Sequence, residues 1–238
     1  MNRNILVAVV FAAMAVQPAA AEQVLWRFDN LGRIGGMAPK LEGKPALVDS
    51  PLGKAVAFNG KDDALFLPGR PLVGAKTFTI EAIFRPDGGA VEQRWMHIAA
   101  TDPATGRDTG AANGAPVTTD SNPRFMFEIR VKGADWYLDT FFNSKNGKSQ
   151  ALMFPDKLHP LGRWYAVTQT YDGRFYRSYV NGVLQGEAEA PGFVPHGPGH
   201  AMIGTRMNHV NYFHGAVAEI RFTDRAMAPG QFLKAPGN

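Results

Sequence analysis

Residues 163–187, RWYAVTQTYDGRFYRSYVNGVLQGE, constrain the fold of this chain more tightly than any other stretch. Two segments rich in Trp, Tyr, Val and Thr flank Tyr171-Asp172-Gly173, and the second meets Asn181-Gly182 before Val183-Leu184. β-Branched and aromatic side chains suit the pleated strand, whereas Gly, Asp and Asn punctuate it. Asn-Gly is a strong short hairpin signal, because both central residues of a type I′ turn need φ > 0. The stretch therefore predicts strand, turn, strand, turn, strand, an antiparallel meander.

The same grammar recurs along the chain at intervals of about ten residues. Residues 24–28 (VLWRF) predict a first strand, followed by a Gly- and Pro-rich loop to about residue 46. Residues 53–58 and 64–68, joined by Asn59-Gly60-Lys61-Asp62-Asp63, predict a hairpin. In residues 77–86 (TFTIEAIFRP), Phe78, Ile80, Ala82 and Phe84 share one face, while Thr79, Glu81, Ile83 and Arg85 share the other. A short strand at 94–99 precedes the one long irregular passage, 101–123; a loop of that length is usually functional or disordered. Residues 124–131 (RFMFEIRV) and 135–142 (DWYLDTFF) predict another hairpin, with further strands at 149–154, 201–204 and 213–223 and a single helical turn within 225–234. Many short strands with almost no helix predict an all-β, two-sheet antiparallel jelly-roll sandwich.

Residues 1–21 carry Arg3, an apolar run at 5–16 too short for a comfortable bilayer span, and an Ala19-Ala20-Ala21 cleavage site. They predict a secretory signal peptide, a secreted or periplasmic protein, and a single domain over 22–238 with no later membrane span. The formal charge of +4 comes from basic and acidic residues interspersed without a basic block. Nucleic acid is therefore not an expected partner, whereas an acidic polysaccharide is compatible. With no cysteine, stability rests on a core that 45% hydrophobic and 11% aromatic residues can supply.

Four blocks in this order resemble the laminin-G-like branch of the concanavalin A-like lectin/glucanase superfamily: AVAFNGKDDALFLP, FTIEAIFRP, the 163–187 meander and YFHGAVAEIRFTDRAMAP. The resemblance implies a jelly roll and, most generally, a glycan ligand, although the scaffold also carries glycosidases, lyases and adhesion modules. Where such chains commonly have an Asp-Glu pair on the closing strand, this one has Ala218-Glu219. The acidic cluster of the glucanases is also missing, since Glu128 has no second carboxylate two or four residues away. A retaining glycosidase needs two carboxyls about 5 Å apart, so that chemistry is disfavoured on local sequence.

Alternation places Phe125, Phe127, Ile129 and Val131 on one face of their strand and Arg124, Met126, Glu128 and Arg130 on the other. The next strand sets Tyr137 and Asp139 beside Glu128 and Arg130, on the face away from Trp136, Leu138 and Phe142. In RWMHIA, His97 shares its predicted face with Trp95, as hydrogen-bond partner or base beside a stacking platform. The candidate ligand-binding set is therefore Trp95, His97, Glu128, Arg130, Tyr137 and Asp139; a cross-strand ion pair on a solvated face is the plainer alternative. Glu128, Arg130 and His97 together resemble the open-face residues of alginate-type lyases, although Met126 stands where a further Arg is expected. That resemblance implies that Arg130, His97 and Tyr137 would divide carboxylate neutralisation, proton abstraction and leaving-group protonation. His196, His200, His209 and His214 show no metal-ligand spacing. Laminin-G-like modules often bind calcium, for which Asp62, Asp63, Asp102, Asp108 and Asp120 are loop candidates without an ordered ligand pattern. The sequence thus expects a carbohydrate-binding domain, with a lyase-like enzyme and an adhesion module as rivals.

Overall fold

The computed structural model describes residues 22–100, 124–143, 149–193 and 199–236. The expectations for 1–21 and 101–123, and for Asp102, Asp108, Asp120 and His196, fall outside these residues. Sheet I contains β1 (Gln23–Arg27), β3 (Ala46–Ser50), β4 (Gly53–Asn59), β6 (Phe78–Pro86), β12 (Tyr165–Tyr171), β13 (Phe175–Val180), β14 (Val183–Glu189) and β16 (His214–Thr223). Sheet II contains β2 (Lys40–Glu42), β5 (Ala64–Leu67), β7 (Glu92–Ala100), β8 (Arg124–Lys132), β9 (Asp135–Asn143), β10 (Ser149–Met153), β11 (His159–Pro160) and β15 (Gly199–Ile203). Sheet I runs β14-β13-β12-β6-β16-β4-β3 with β1 beside β16, and sheet II runs β10-β9-β8-β7-β15-β5-β2 with β11 beside β9. The two antiparallel sheets make the expected sandwich.

The meander forms as its turn residues dictate. Asn181 and Gly182 have φ of 49° and 77°, and Val180 pairs with Val183 across them. The Asn181 side chain adds a second lock, its Oδ1 accepting the Ala166 N–H at 2.9 Å. At the earlier turn, Asp172 Oδ1 accepts the Arg174 and Phe175 N–H groups at 2.9 and 2.8 Å, and Gly173 takes φ 98°.

Two expectations change. The predicted hairpin of residues 53–68 is an arch: β4 pairs with β3 and β16 in sheet I, whereas β5 pairs with β15 and β2 in sheet II. A strand-turn-strand pattern reads the same for either connection. Here the buried carboxylate of Asp63 fixes the crossing, with Oδ1 accepting Lys44 N–H at 2.6 Å and Oδ2 accepting Asn59 N–H at 3.0 Å. Second, β2 lies in the segment read as loop, and β3 begins where that loop was expected to end. Both are sheet edges with mostly exposed residues, so they lack the alternation that marks a half-buried strand.

Between the sheets, Phe84 of β6 contacts Trp95 of β7 and Trp136 of β9 at centroid separations of 5.4 and 5.2 Å. Phe78 does the same at the other end of β6, meeting Phe125, Tyr171, Tyr176 and Phe193. The other face of β6 is also buried, because the C-terminal segment crosses it. Glu81 receives Arg221 Nε at 2.5 Å and the Leu233 N–H at 2.7 Å, and Thr79 Oγ1 receives the Met227 N–H at 2.9 Å. Ile83 joins Ala55, Ala166, Ala216, Ala218 and Ala235 in a second small apolar cluster. The 3₁₀ turn at Pro229–Gln231 lies within this segment, where a helical turn was expected.

Replacing Gly182 by Val tests the turn. A Cβ there meets open space, so only the left-handed backbone is at stake. We expect Gly182→Val to lower stability by about 1–3 kcal/mol in equilibrium denaturation; an unchanged midpoint would mean the turn tolerates a β-branched residue.

Candidate functional site

The outer face of sheet II is organised by a bulge in β7. Arg94 pairs with Glu128 of β8, but the next paired residue is Met96, opposite Phe127. The extra residue lets both Trp95 and Met96 enter the core, and it reverses the alternation that follows. Glu92, Arg94, His97 and Ala99 consequently share the outer face. Trp95, expected beside His97 as a stacking platform, is instead fully buried against Phe84 and Phe127. A regular strand of this sequence would have paired Arg94 with Met96 and His97 with Trp95 on their faces.

On β8 and β9 the faces are those the alternation predicts. Glu128 lies opposite Asp139 and Arg130 opposite Tyr137. These groups do not form a solvated ion pair. Arg94 bonds Glu92 and, through Nε, Glu128 Oε1 at 2.5 Å; Arg130 Nε and Nη1 bond Asp139 Oδ2 and Glu92 Oε2, both at 2.8 Å. Glu128 and Asp139 themselves share a hydrogen bond. The ring Glu92–Arg94–Glu128–Asp139–Arg130 is thereby closed, with Arg94, Glu128 and Asp139 all buried.

Three carboxyls and two guanidiniums leave one negative charge in excess, which favours the protonated form of Glu128. Burial first, and then the Asp139 carboxylate, push Glu128 up to about 7 against the pull of Arg94. The local sequence showed no carboxylate partner for Glu128 because the partner arrives across the sheet. The two carboxyls are in contact, closer than the separation of about 5 Å in a retaining glycosidase.

His97 stands apart from this ring. It pairs with Met126, four residues along β8 from Arg130, or about 13 Å at the usual strand rise. The structure therefore brings Arg130 and Tyr137 together and leaves His97 elsewhere, so the three do not form one catalytic centre. Residues 204–212 fold back over β7, with Arg94 N–H bonding Asn211 O at 2.9 Å and Gly204 N–H bonding Trp95 O at 3.0 Å. Met207 N–H donates to His97 Nδ1 at 3.0 Å, which fixes the neutral ring's proton on Nε2. Burial, followed by the charges of Arg124, Arg206 and Arg94, holds His97 well below the usual histidine range, so it is neutral.

Arg124, Arg206 and Phe141 were not among the expected site residues. Arg124 lies on the outer face by the same alternation as Glu128, with its guanidinium 5.0 Å above the half-exposed Phe141 ring. Arg206 belongs to an irregular loop whose path the sequence does not reveal. Tyr137 is also half-exposed, as are Phe66 and Tyr212 farther across the sheet.

Among the described residues, no group of three or more His, Asp or Glu side chains is arranged to hold a metal. Asp62 and Asp63, two of the calcium candidates, build the 59–63 turn: Asp63 as above, and Asp62 Oδ1 by accepting Asn59 Nδ2 at 2.7 Å. His209 bonds Glu42 at 2.8 Å, the His214 backbone bonds Gln93, and His200 packs 4.8 Å from the Phe66 ring. These three histidines do not converge.

The raised Glu128 gives a pH signature. Glu128 holds its proton more tightly folded than unfolded, so folding takes up a proton between about 4.5 and about 7, and stability falls as pH rises through that window. Glu128→Gln keeps a neutral group at all pH values. We expect its stability relative to the parent to improve between pH 5 and pH 8 in urea melts; a pH-independent difference would show that Glu128 titrates normally.

Several solved structures share this arrangement of sheets. Domain 4 of AbnA, a GH43 extracellular arabinanase from Geobacillus stearothermophilus solved with arabinotriose, aligns over 89% of this chain and 96% of its own at 19% identity and a TM-score of 0.61. The binding domain of Paraclostridial Mosquitocidal Protein 1 aligns over 88% of this chain and 50% of its own at 12% identity and a TM-score of 0.58. NanB sialidase from Streptococcus pneumoniae aligns over 78% of this chain and 28% of its own at 16% identity and a TM-score of 0.58. These likenesses establish the fold. No curated protein matches the chain in sequence. The Laminin_G_3 family of the concanavalin A-like lectin/glucanases superfamily matches residues 59–231, most of the chain, and to that family this protein belongs.

Proposed function

We propose that this protein is an exported carbohydrate-binding domain whose glycan lies on the outer face of sheet II. The observation that carries this reading is the difference between the two outer faces. That of sheet I is covered along β6 by the C-terminal segment, whereas that of sheet II presents half-exposed Tyr137 and Phe141 on one strand, beside a rigid charged ring. An aromatic ring offers a sugar an apolar platform at little entropic cost, and fixed polar neighbours set its orientation. The arabinotriose complex of the AbnA domain supports the ligand class. Export rests on the signal-like sequence of residues 1–21, with cleavage after Ala21.

A lyase-like reading draws on the adjacency of Arg130 and Tyr137, a cation for a uronate carboxylate beside a phenol. It would be marked by unsaturated, ultraviolet-absorbing products from an acidic polysaccharide.

Binding to a panel of neutral and acidic polysaccharides, measured by calorimetry, tests the main reading. Tyr137→Ala and Phe141→Ala should each weaken binding about threefold to tenfold, the value of one stacking contact. Melting temperatures should change little at these half-exposed positions. Variants that bind like the parent, or a parent that binds nothing in the panel, would remove sheet II as a glycan face.

A further inference from the structure

The ion-pair ring engages its carboxylates, but Arg94 and the groups next to the ring keep donors in excess. Arg94, His97 and Arg124 expose only 5%, 1% and 7% of their surface, yet Arg94 Nη1, His97 Nε2 and both Nε and Nη1 of Arg124 have no hydrogen-bond partner. Arg206 Nε, on a half-buried side chain, is likewise unpartnered. Buried donors are normally satisfied, and leaving one unmade costs more than a typical bond contributes.

All these groups lie on one patch. Arg124 and His97 occupy diagonal positions on paired strands, opposite Ala99 and Met126 respectively. The Met207 N–H on the His97 ring brings the neighbouring Arg206 to it, and Arg94 precedes His97 on β7. Because Nδ1 of His97 already accepts, its Nε2 can only donate while the ring is neutral. Every unpartnered atom on these four residues is thus a donor, and three of the residues are cations. The carboxylates nearest them, Glu92 and Glu128, are held by Arg94 and Arg130. Crowding of like charge shows in the guanidiniums themselves: burial and then Arg206 bring Arg124 down to about 10, while burial and Arg94 lower Arg206. The stacking of Arg124 on Phe141 engages one face of its guanidinium, while Nε and Nη1 on its edge stay unpartnered in the plane where an oxyanion would bind. Asn143, opposite Arg124, adds one unpartnered acceptor, Oδ1, suited to a hydroxyl.

We propose that Arg94, Arg124, Arg206 and His97 form a binding site for one oxyanion, the carboxylate or sulfate group of an acidic sugar. The charge follows from the donors alone; that the anion belongs to a sugar rests on the glycan reading above. Neutral His97 acts as a donor here and takes no part in proton transfer. Guanidinium suits either oxyanion by presenting paired N–H groups, so the two sources share one recognition chemistry.

The test uses the intact chain with Arg206→Gln, the least buried of the three arginines, and Arg174→Gln as a control that removes an equal charge from the exposed end of sheet I. Binding is measured at physiological ionic strength to polygalacturonate, dextran sulfate and neutral arabinan. Melting temperatures are compared in sodium sulfate and in sodium chloride of matched ionic strength. We expect the parent to bind at least one of the two acidic polymers through this site, and Arg206→Gln to weaken that binding roughly tenfold or more, as loss of a charge-assisted contact predicts. Arg174→Gln should do much less, and the polymer that responds identifies carboxylate or sulfate. Equal effects of the two variants would mean general attraction to a basic protein and would overturn the site. A sulfate-specific rise in melting temperature, lost in Arg206→Gln, with no polysaccharide bound would keep the anion site and remove the glycan reading. Neutral arabinan bound through Tyr137 and Phe141, with Arg206→Gln indifferent in every assay, would do the reverse.

Discussion

The bulge at Trp95 sets the character of the whole sheet II face. Two consecutive side chains, Trp95 and Met96, enter the core there, and the indole then lies between Phe84 and Phe127. Burying a residue as large as Trp in a close-packed interior fixes its position tightly. The same insertion holds Arg94 over Glu128 and turns His97 outward. Without the extra residue, one of these two outer-face positions would have to point into the core. A packing event on the inner face thus composes the chemistry of the outer one.

The two outer faces of the sandwich answer their burial problems differently. On sheet I, the neighbouring strand's Arg221 and the Leu233 N–H of the C-terminal segment together satisfy a buried carboxylate, Glu81, and small alanines allow close approach. On sheet II, the return loop at 204–212 covers part of the face but brings another cation, Arg206, instead of an acceptor. A buried ion pair contributes little net stability, because desolvation offsets attraction, so the closed ring beside it is better regarded as a positioning device. It fixes Arg94 and Arg130 in place. Beside it, Arg124 and Arg206 add two more cations close to Arg94 and to the neutral His97.

The sequence by itself determined the sandwich, the meander with its Asn181-Gly182 turn, and which residues of β6, β8 and β9 face inward. All of these follow from local rules: period-two alternation, strand propensity and the demand of one turn for positive φ. It also singled out Glu128, Arg130, Tyr137 and Asp139 as neighbours, since a hairpin fixes its own register. Only the tertiary structure decided the rest. A bulge depends on which of two large residues the core accepts, so Trp95 and His97 were put on one face by alternation and on opposite faces by packing. The arch at residues 59–63 has the same local pattern as a hairpin and is distinguished by which strands β4 and β5 find as partners far along the chain. Met207, with Arg206 beside it, reaches His97 across a sequence separation of more than a hundred residues, by way of a loop with no periodic signal. The unpartnered donors that mark the anion site exist only after that contact is made, because an unmet hydrogen bond is a property of burial and has no signature in the order of residues.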